Sequence, residues 1–203
     1  MEALSSLPLL LGGSWTSGIR FYLTVAVLGF AGKMGWIGLP GDLKVISNPL
    51  IFIAAGLLYG VEFLADKIKY VDTIWDSIHT FIKPIGAAAL GYAASSNLGP
   101  VAQIPLAMIC GTLSGGTQLT KASARLAINA SPEPVSNAVV STSEDGLSIF
   151  VLYMIVKHPV VATIVIILLL ALTAWLFIKL FKFVKKVIGF LFRNKSDNIE
   201  KHS

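Results

Sequence analysis

Apolar residues fall in six long runs separated by short polar breaks, and the purest run, VVATIVIILLLALTAWLFI from Val160 to Ile178, carries no charge. Coiled as a helix it reaches roughly 28 Å, close to the ~30 Å hydrocarbon thickness of a bilayer. The other runs predict helices over about Ser17 to Trp36, Pro49 to Asp66, Ser77 to Ser96, Val101 to Leu119 and Asn137 to Val156. Trp15 and Trp36 stand at the ends of the first run like interfacial anchors. The fifth starts after the helix-breaking SPEP at Ser131 to Pro134. The predicted fold is all-α: a polytopic transmembrane bundle of about six crossings over residues 1–178, then a basic cytoplasmic amphipathic tail over residues 179–203.

Two runs are too short unless they take in charge. PIGAAALGYAAS, from Pro84 to Ser95, must borrow upstream residues to span, which draws His79 and Lys83 below the membrane surface and leaves Asp76 at its edge. Only eleven residues separate Asp145 from Lys157, so Glu144 and Asp145 belong to the span or to a broken helix. A charge at the centre of a membrane helix costs about 2.5 to 3.5 kcal/mol, so two adjacent acids imply partners, protonation or a wet cavity. The bland alternative is a cytoplasmic vestibule in which the pair caps the helix N-terminus.

Composition sharpens the solvent question. With 55% hydrophobic and 13% charged residues, the 203-residue chain has too little polar surface to cover a water-soluble globule. The net charge of +5 does not point to nucleic acid, because seven of the sixteen Lys and Arg follow residue 178. There Lys179, Lys182, Lys185, Lys186 and Arg193 alternate with aromatic and aliphatic residues, as in an interfacial helix that meets the anionic inner leaflet. Six crossings put both termini on one side. The tail, with Arg20, Lys67, Lys69, Lys121 and Arg125 against Lys33, Lys44 and Lys157, makes that side the cytoplasm. The N-terminus has no basic region, so no removed signal peptide is expected. Cys110 stands alone, which excludes an intrachain disulfide and a cysteine metal site.

The candidate site residues are Arg20, Glu62, Asp66, Asp72, Asp76, His79, Arg125, Glu144 and Asp145. Asp72, Asp76 and His79 share one helical stripe, where carboxylates and an imidazole can hold a divalent cation or relay protons. An amphipathic surface helix with its acids paired to Lys67, Lys69 and Lys83 gives the same pattern. Arg20 and Arg125 can neutralise the acids or grip an anionic substrate, and a structural ion pair is the commoner outcome. Gly111 and Gly115 form a G-x-x-x-G pair that permits close packing or local unwinding. SGIRF at Ser17 and SARLA at Ser123 are weakly alike, and three crossings per half would make two inverted repeats.

Three stretches carry a resemblance: SGIRFYLTVAVLGFAGKMGW (17–36), VEFLADKIKYVDTIWDSIHTFIKP (61–84) and LTKASARLAINASPEPVSNAVVSTSEDG (119–146). Their motifs E-F-L-A-D-K, D-x-x-W-D-x-x-H-T-F-I-x-P and N-A-S-P-E-P-x-S-N begin at Glu62, Asp72 and Asn129. Over roughly residues 10–178 the chain resembles the bacterial membrane family called domain of unknown function 4126 (DUF4126). Where that family commonly reads A-G-L-R, this chain has Ser17-Gly18-Ile19-Arg20. The resemblance implies a multipass protein of the bacterial inner membrane and supplies no reaction.

No P-loop, nucleophile elbow, dinucleotide fingerprint or zincin motif occurs, which argues against an enzyme. The leading expectation is a small transporter or channel-like protein for an ion or small solute, proton- or cation-coupled in its simplest form, without a cofactor. The runner-up is a non-catalytic organiser that binds lipid or a protein partner, and an intramembrane hydrolase is a remote third. A bound divalent cation and a homo-oligomer stay open.

Overall fold

The structure, a computed structural model, describes the backbone of residues 2–68, 70–129 and 134–200 and side chains within residues 7–182, those of 69, 127, 129–137 and 181 excepted. Six α-helices follow one another: α1 (Glu2–Lys33), α2 (Pro49–Ala65), α3 (Val71–Ala94), α4 (Pro100–Asn129), α5 (Pro134–Lys157) and α6 (Pro159–Glu200), with short 3-10 helices at Gly41–Ser47 and Ser96–Leu98. No strand occurs among the described residues. The predicted helices are all present. Several start earlier, and α1 and α4 run well past the predicted bounds because polar residues inside them are buried rather than placed in loops.

Local signals explain the boundaries. Pro49, Pro100, Pro134 and Pro159 each open a helix, where a missing N–H costs nothing. Asn48 caps α2, its side-chain oxygen accepting from the Leu50 N–H at 3.0 Å. Tyr70, with φ of 74°, lets the chain reverse between α2 and α3 in the left-handed region that non-glycine residues seldom enter.

Polarity is turned inside out. Along α3 the buried face reads Asp72, Asp76, His79, Lys83, Ala87 and Gly91, whereas Ile74, Ile78, Phe81, Ile82 and Ile85 are exposed. On α2, Glu62 is buried while Leu50, Ile53, Leu57 and Leu64 face outward. A helix with ionised groups inward and aliphatic groups outward is stable only where the outer medium is itself apolar.

By length and apolarity, two helices suffice to cross a membrane, Ala138–Lys157 and Pro159–Leu180, or three if the bent pair Gly41–Ser47 and Pro49–Ala65, at 68°, forms one span. Helix α6 continues without a break across residue 179 to Glu200, so the predicted tail extends the last helix. Lys179 packs over the Trp175 ring at 4.7 Å, Lys182 is exposed, and the side chains of Lys185, Lys186 and Arg193 lie outside the described residues.

Helix α1 runs through the centre and touches every other α-helix, while α3 and α4 form the most extensive pair. Gly111 and Gly115 lie against Pro84 and Ala88 of α3, so the G-x-x-x-G face serves close packing and α4 stays helical through it. Trp15 is buried, with its indole N–H donating to Thr173 on α6 at 2.9 Å. The expected interfacial anchor is therefore an internal strut, because α1 begins well before Ser17. Trp36 is exposed beyond the helix end, with Lys157 lying 5.1 Å from its ring.

Candidate functional site

Helix α1 breaks at Arg20, whose φ of −137° and ψ of 78° are not helical. Sharp kinks have identifiable causes, among them a side chain inserted into the main-chain ladder. Here the Lys83 ammonium donates to the Ile19 carbonyl at 2.8 Å, an oxygen that would bond the Leu23 N–H in a regular helix. Thr24 donates its hydroxyl to the Arg20 carbonyl at 2.8 Å. The opened turn is thereby satisfied by side chains from α3 and from α1 itself.

The Arg20 guanidinium is fully buried and faces three acids. It pairs with Asp66 through Nη1, with Asp145 through Nε at 2.5 Å, and with Glu144 through Nη2 at 3.4 Å. Nη2 also donates to the Ser141 carbonyl and hydroxyl at 3.2 Å each. Tyr59 adds a hydrogen bond to Asp145 at 3.2 Å. The planar fork of arginine serves several oxygens at once, which a lysine ammonium could not do from the same place.

Lys83 is a three-way strut. Besides Ile19 of α1, it meets the Glu62 carboxylate of α2 at 2.8 Å and the Gln118 side-chain oxygen of α4 at 3.1 Å. On α4, Gln118, Lys121 and Arg125 recur at helical spacing and all face inward. Lys121 bridges Asp66 at 3.1 Å and Asp76 at 3.0 Å. Arg125 reaches Glu144 at 2.7 Å, Asp66 at 3.5 Å and Asp72 at 3.7 Å.

The arithmetic of the network is unequal. Among the described residues, Glu62 is matched by Lys83, but Asp66, Asp72, Asp76, Glu144 and Asp145 share Arg20, Lys121 and Arg125. Lys67 lies over the Phe63 ring instead, 3.1 Å from its centre. Buried charge without compensation is costly, so each of these acids is held by a cation that it shares with another.

The structure thus brings eight of the nine candidate residues into one charged network. His79 sits beside it. Its Nε2 lies 3.1 Å from the Tyr22 hydroxyl, its Nδ1 lies 2.8 Å from the Trp75 carbonyl, and its ring stacks on Trp75 at 4.4 Å. Two expectations about cations need correcting. Arg20 lies inside a 32-residue helix rather than near its end. Lys121 is a buried member of α4 rather than a loop cation, because its acid partners lie within reach of that face. Arg20, Lys121 and Arg125 are all buried, so these three are interior rather than loop cations.

Lys83, Lys121, Gln118 and Tyr59 were not among the candidates. The inward periodicity of Gln118, Lys121 and Arg125 was a readable signal, while Tyr59 gave none. Among the described residues, no three His, Cys, Asp or Glu side chains are grouped to hold a metal ion. The acids of the network alternate with cations.

A cleft of about 220 Å³ between α3 and α4 leads to the network, lined by Thr73, Asp76, Ser77, Thr80, Ser123 and Arg125 among others. A second, small cavity of about 20 Å³ is lined by Ser14 and Ser17 before the Arg20 break and Thr24 after it, among apolar residues.

The inverted polarity, the membrane-length helices and the buried charge network define an all-helical membrane protein with an ionised interior. The chain belongs to the family described as domain of unknown function (DUF4126), whose model matches residues 7–179. Comparison with curated proteins and with solved structures gave no significant match.

Proposed function

We propose that this protein is a small transporter or channel-like protein for an ion or small solute, driven by protons or monovalent cations. The observation that carries this reading is a buried network of acids and cations built around a broken helix, with a cleft lined by Asp76 and Arg125 leading to it. Broken helices in lipid are tolerated where their freed main-chain groups line a site, and ionisable groups at membrane depth mark ion and proton paths. On this reading the bundle crosses a bacterial inner membrane six times, with both termini in the cytoplasm. The weak likeness between the surroundings of Arg20 and Arg125 would then relate two inverted halves.

The test is flux. Purified protein in proteoliposomes with an internal pH dye and imposed ion gradients should pass protons or a coupled ion, and Glu144→Gln with Asp145→Asn should abolish that flux. Unchanged flux in the double variant counts decisively against this reading.

One observation favours a second reading: each acid of the network has a cation within 4.0 Å. Paired charges can simply hold helices together, leaving the basic end of α6 to organise anionic lipid or a partner. In that case deletion of residues 180–203 removes binding to anionic vesicles, and the intact protein carries no flux.

A further inference from the structure

We propose that Asp76 is the carboxyl of the network that takes up a proton, and that the cleft between α3 and α4 is the route by which the proton reaches it. This rests on reading the network as an ion-handling site and names the residue and entry path.

The partners of the five acids that share three cations are unequal. Asp66 meets Arg20, Lys121 and Arg125, and Glu144 meets Arg20 and Arg125. Asp145 holds Arg20 at 2.5 Å and accepts from Tyr59. Asp72 lies in the first turn of α3, where it accepts from the Thr73 N–H at 2.7 Å and where the helix dipole favours the anion. Asp76 makes one ion pair among the described residues, to Lys121, which it shares with Asp66, and its other contact is the neutral Gln118 amide, 3.3 Å away.

Only the Oδ1 atom of Asp76 makes those contacts. Oδ2 is buried without a hydrogen bond among the described residues, as are oxygens of Glu62 and Asp145, but of these acids only Asp76, 2% exposed, lines the cleft. An ionised carboxylate left with a bare buried oxygen is costly, whereas a neutral carboxyl can donate from that oxygen to water in the cleft. The cleft has room for several waters at about 30 Å³ each. The Ser77 and Thr80 hydroxyls on its wall already donate to main-chain carbonyls of α3, which leaves their lone pairs to order such water.

In the step itself, a hydronium in the cleft breaks one O–H bond, gives the proton to Oδ2 and leaves as water. The network then carries one negative charge fewer, and Lys121 is held by Asp66 alone. The charged and titratable groups that face Asp76 are His79 and Lys83 on its own helix and Lys121 and Arg125 on α4, with the neutral Gln118 beside them; Asp66 by α2, Arg20 on α1 and Glu144 on α5 follow through Lys121 and Arg125. The path from Lys121 through Asp66 to Arg20 links the proton to the break in α1.

Infrared difference spectroscopy of the full chain in lipid tests this. The wild type should show a protonated-carboxyl C=O band that titrates with pH and shifts down in D2O. Asp76→Asn should lose that band, Asp76→Glu should restore one at a shifted position, and Ser123→Leu, which fills the cleft, should slow the D2O shift. A band that persists in Asp76→Asn, or its absence from wild type at every pH, overturns the assignment. If the band is lost in Asp76→Asn while wild-type proteoliposomes show no flux, transport fails and the assignment stands. Proton-driven flux together with a band indifferent to Asp76→Asn supports transport and rejects the assignment.

Discussion

The Lys83 ammonium donates to the carbonyl of Ile19 at 2.8 Å, across the interface between α3 and α1, beside the residue where α1 loses its helical path. A buried lysine therefore holds open a turn of another helix, and through Glu62 and Gln118 it ties that turn to α2 and α4. The break and the network are one construction.

Removing Lys83 should be severe and partly reversible. Lys83→Met leaves Glu62 buried without its cation, and breaking a buried pair in this way costs about 3 to 5 kcal/mol. Adding Glu62→Gln removes the stranded charge and should recover part of that loss. Thermal unfolding in detergent of the single and double variants checks the order; a double variant no more stable than Lys83→Met would contradict it.

Arg20→Lys is not a conservative change. Arg20 serves Asp66 from Nη1, Asp145 from Nε, and Glu144 and the Ser141 carbonyl from Nη2, and a lysine can keep only part of that set. The expected loss is comparable to that of an unpaired buried charge, about 3 kcal/mol or more. It should be read against Lys179→Arg, on an exposed face of α6, which should leave the unfolding temperature in place.

Gly18 fixes the approach of α1 to α4. A Cβ there would lie 2.5 Å from the Ser114 carbonyl and 2.6 Å from the Thr117 Cβ, so even Gly18→Ala must displace one helix. Overpacking of this kind costs roughly 1 to 3 kcal/mol. Gly116→Ala, with nothing within 4 Å, is the matched control and should be neutral or slightly stabilising. Equal melting of both variants would show that α1 and α4 pack more loosely than these distances require.

Cys110 should be chemically silent in the folded protein. It is 2% exposed and packs where a Cβ on Gly91 would lie 2.6 Å from its sulfur. A membrane-permeant maleimide should label it only after denaturation, because the packed helices leave the reagent no path to the sulfur. Rapid labelling of native protein would mean that α3 and α4 separate in the bilayer.

Much was written in the sequence. Apolar runs longer than a soluble protein tolerates fixed the all-helical class, and the shortage of apolar chain beside Glu144, Asp145, His79 and Lys83 marked the polar interior, because helix rise and bilayer thickness are constants. The stripe of Asp72, Asp76 and His79 was likewise legible, since one helix face is a local property. Tertiary structure alone decided which cation meets which acid. Arg20 joins Asp66 and Asp145 across 46 and 125 residues of chain, and nothing local encodes such distances. The break in α1 is half legible: the Ser17-Gly18 pair just before residue 20 is a local signal for a kink, but the bond that satisfies the freed Ile19 carbonyl comes from a lysine 64 positions away.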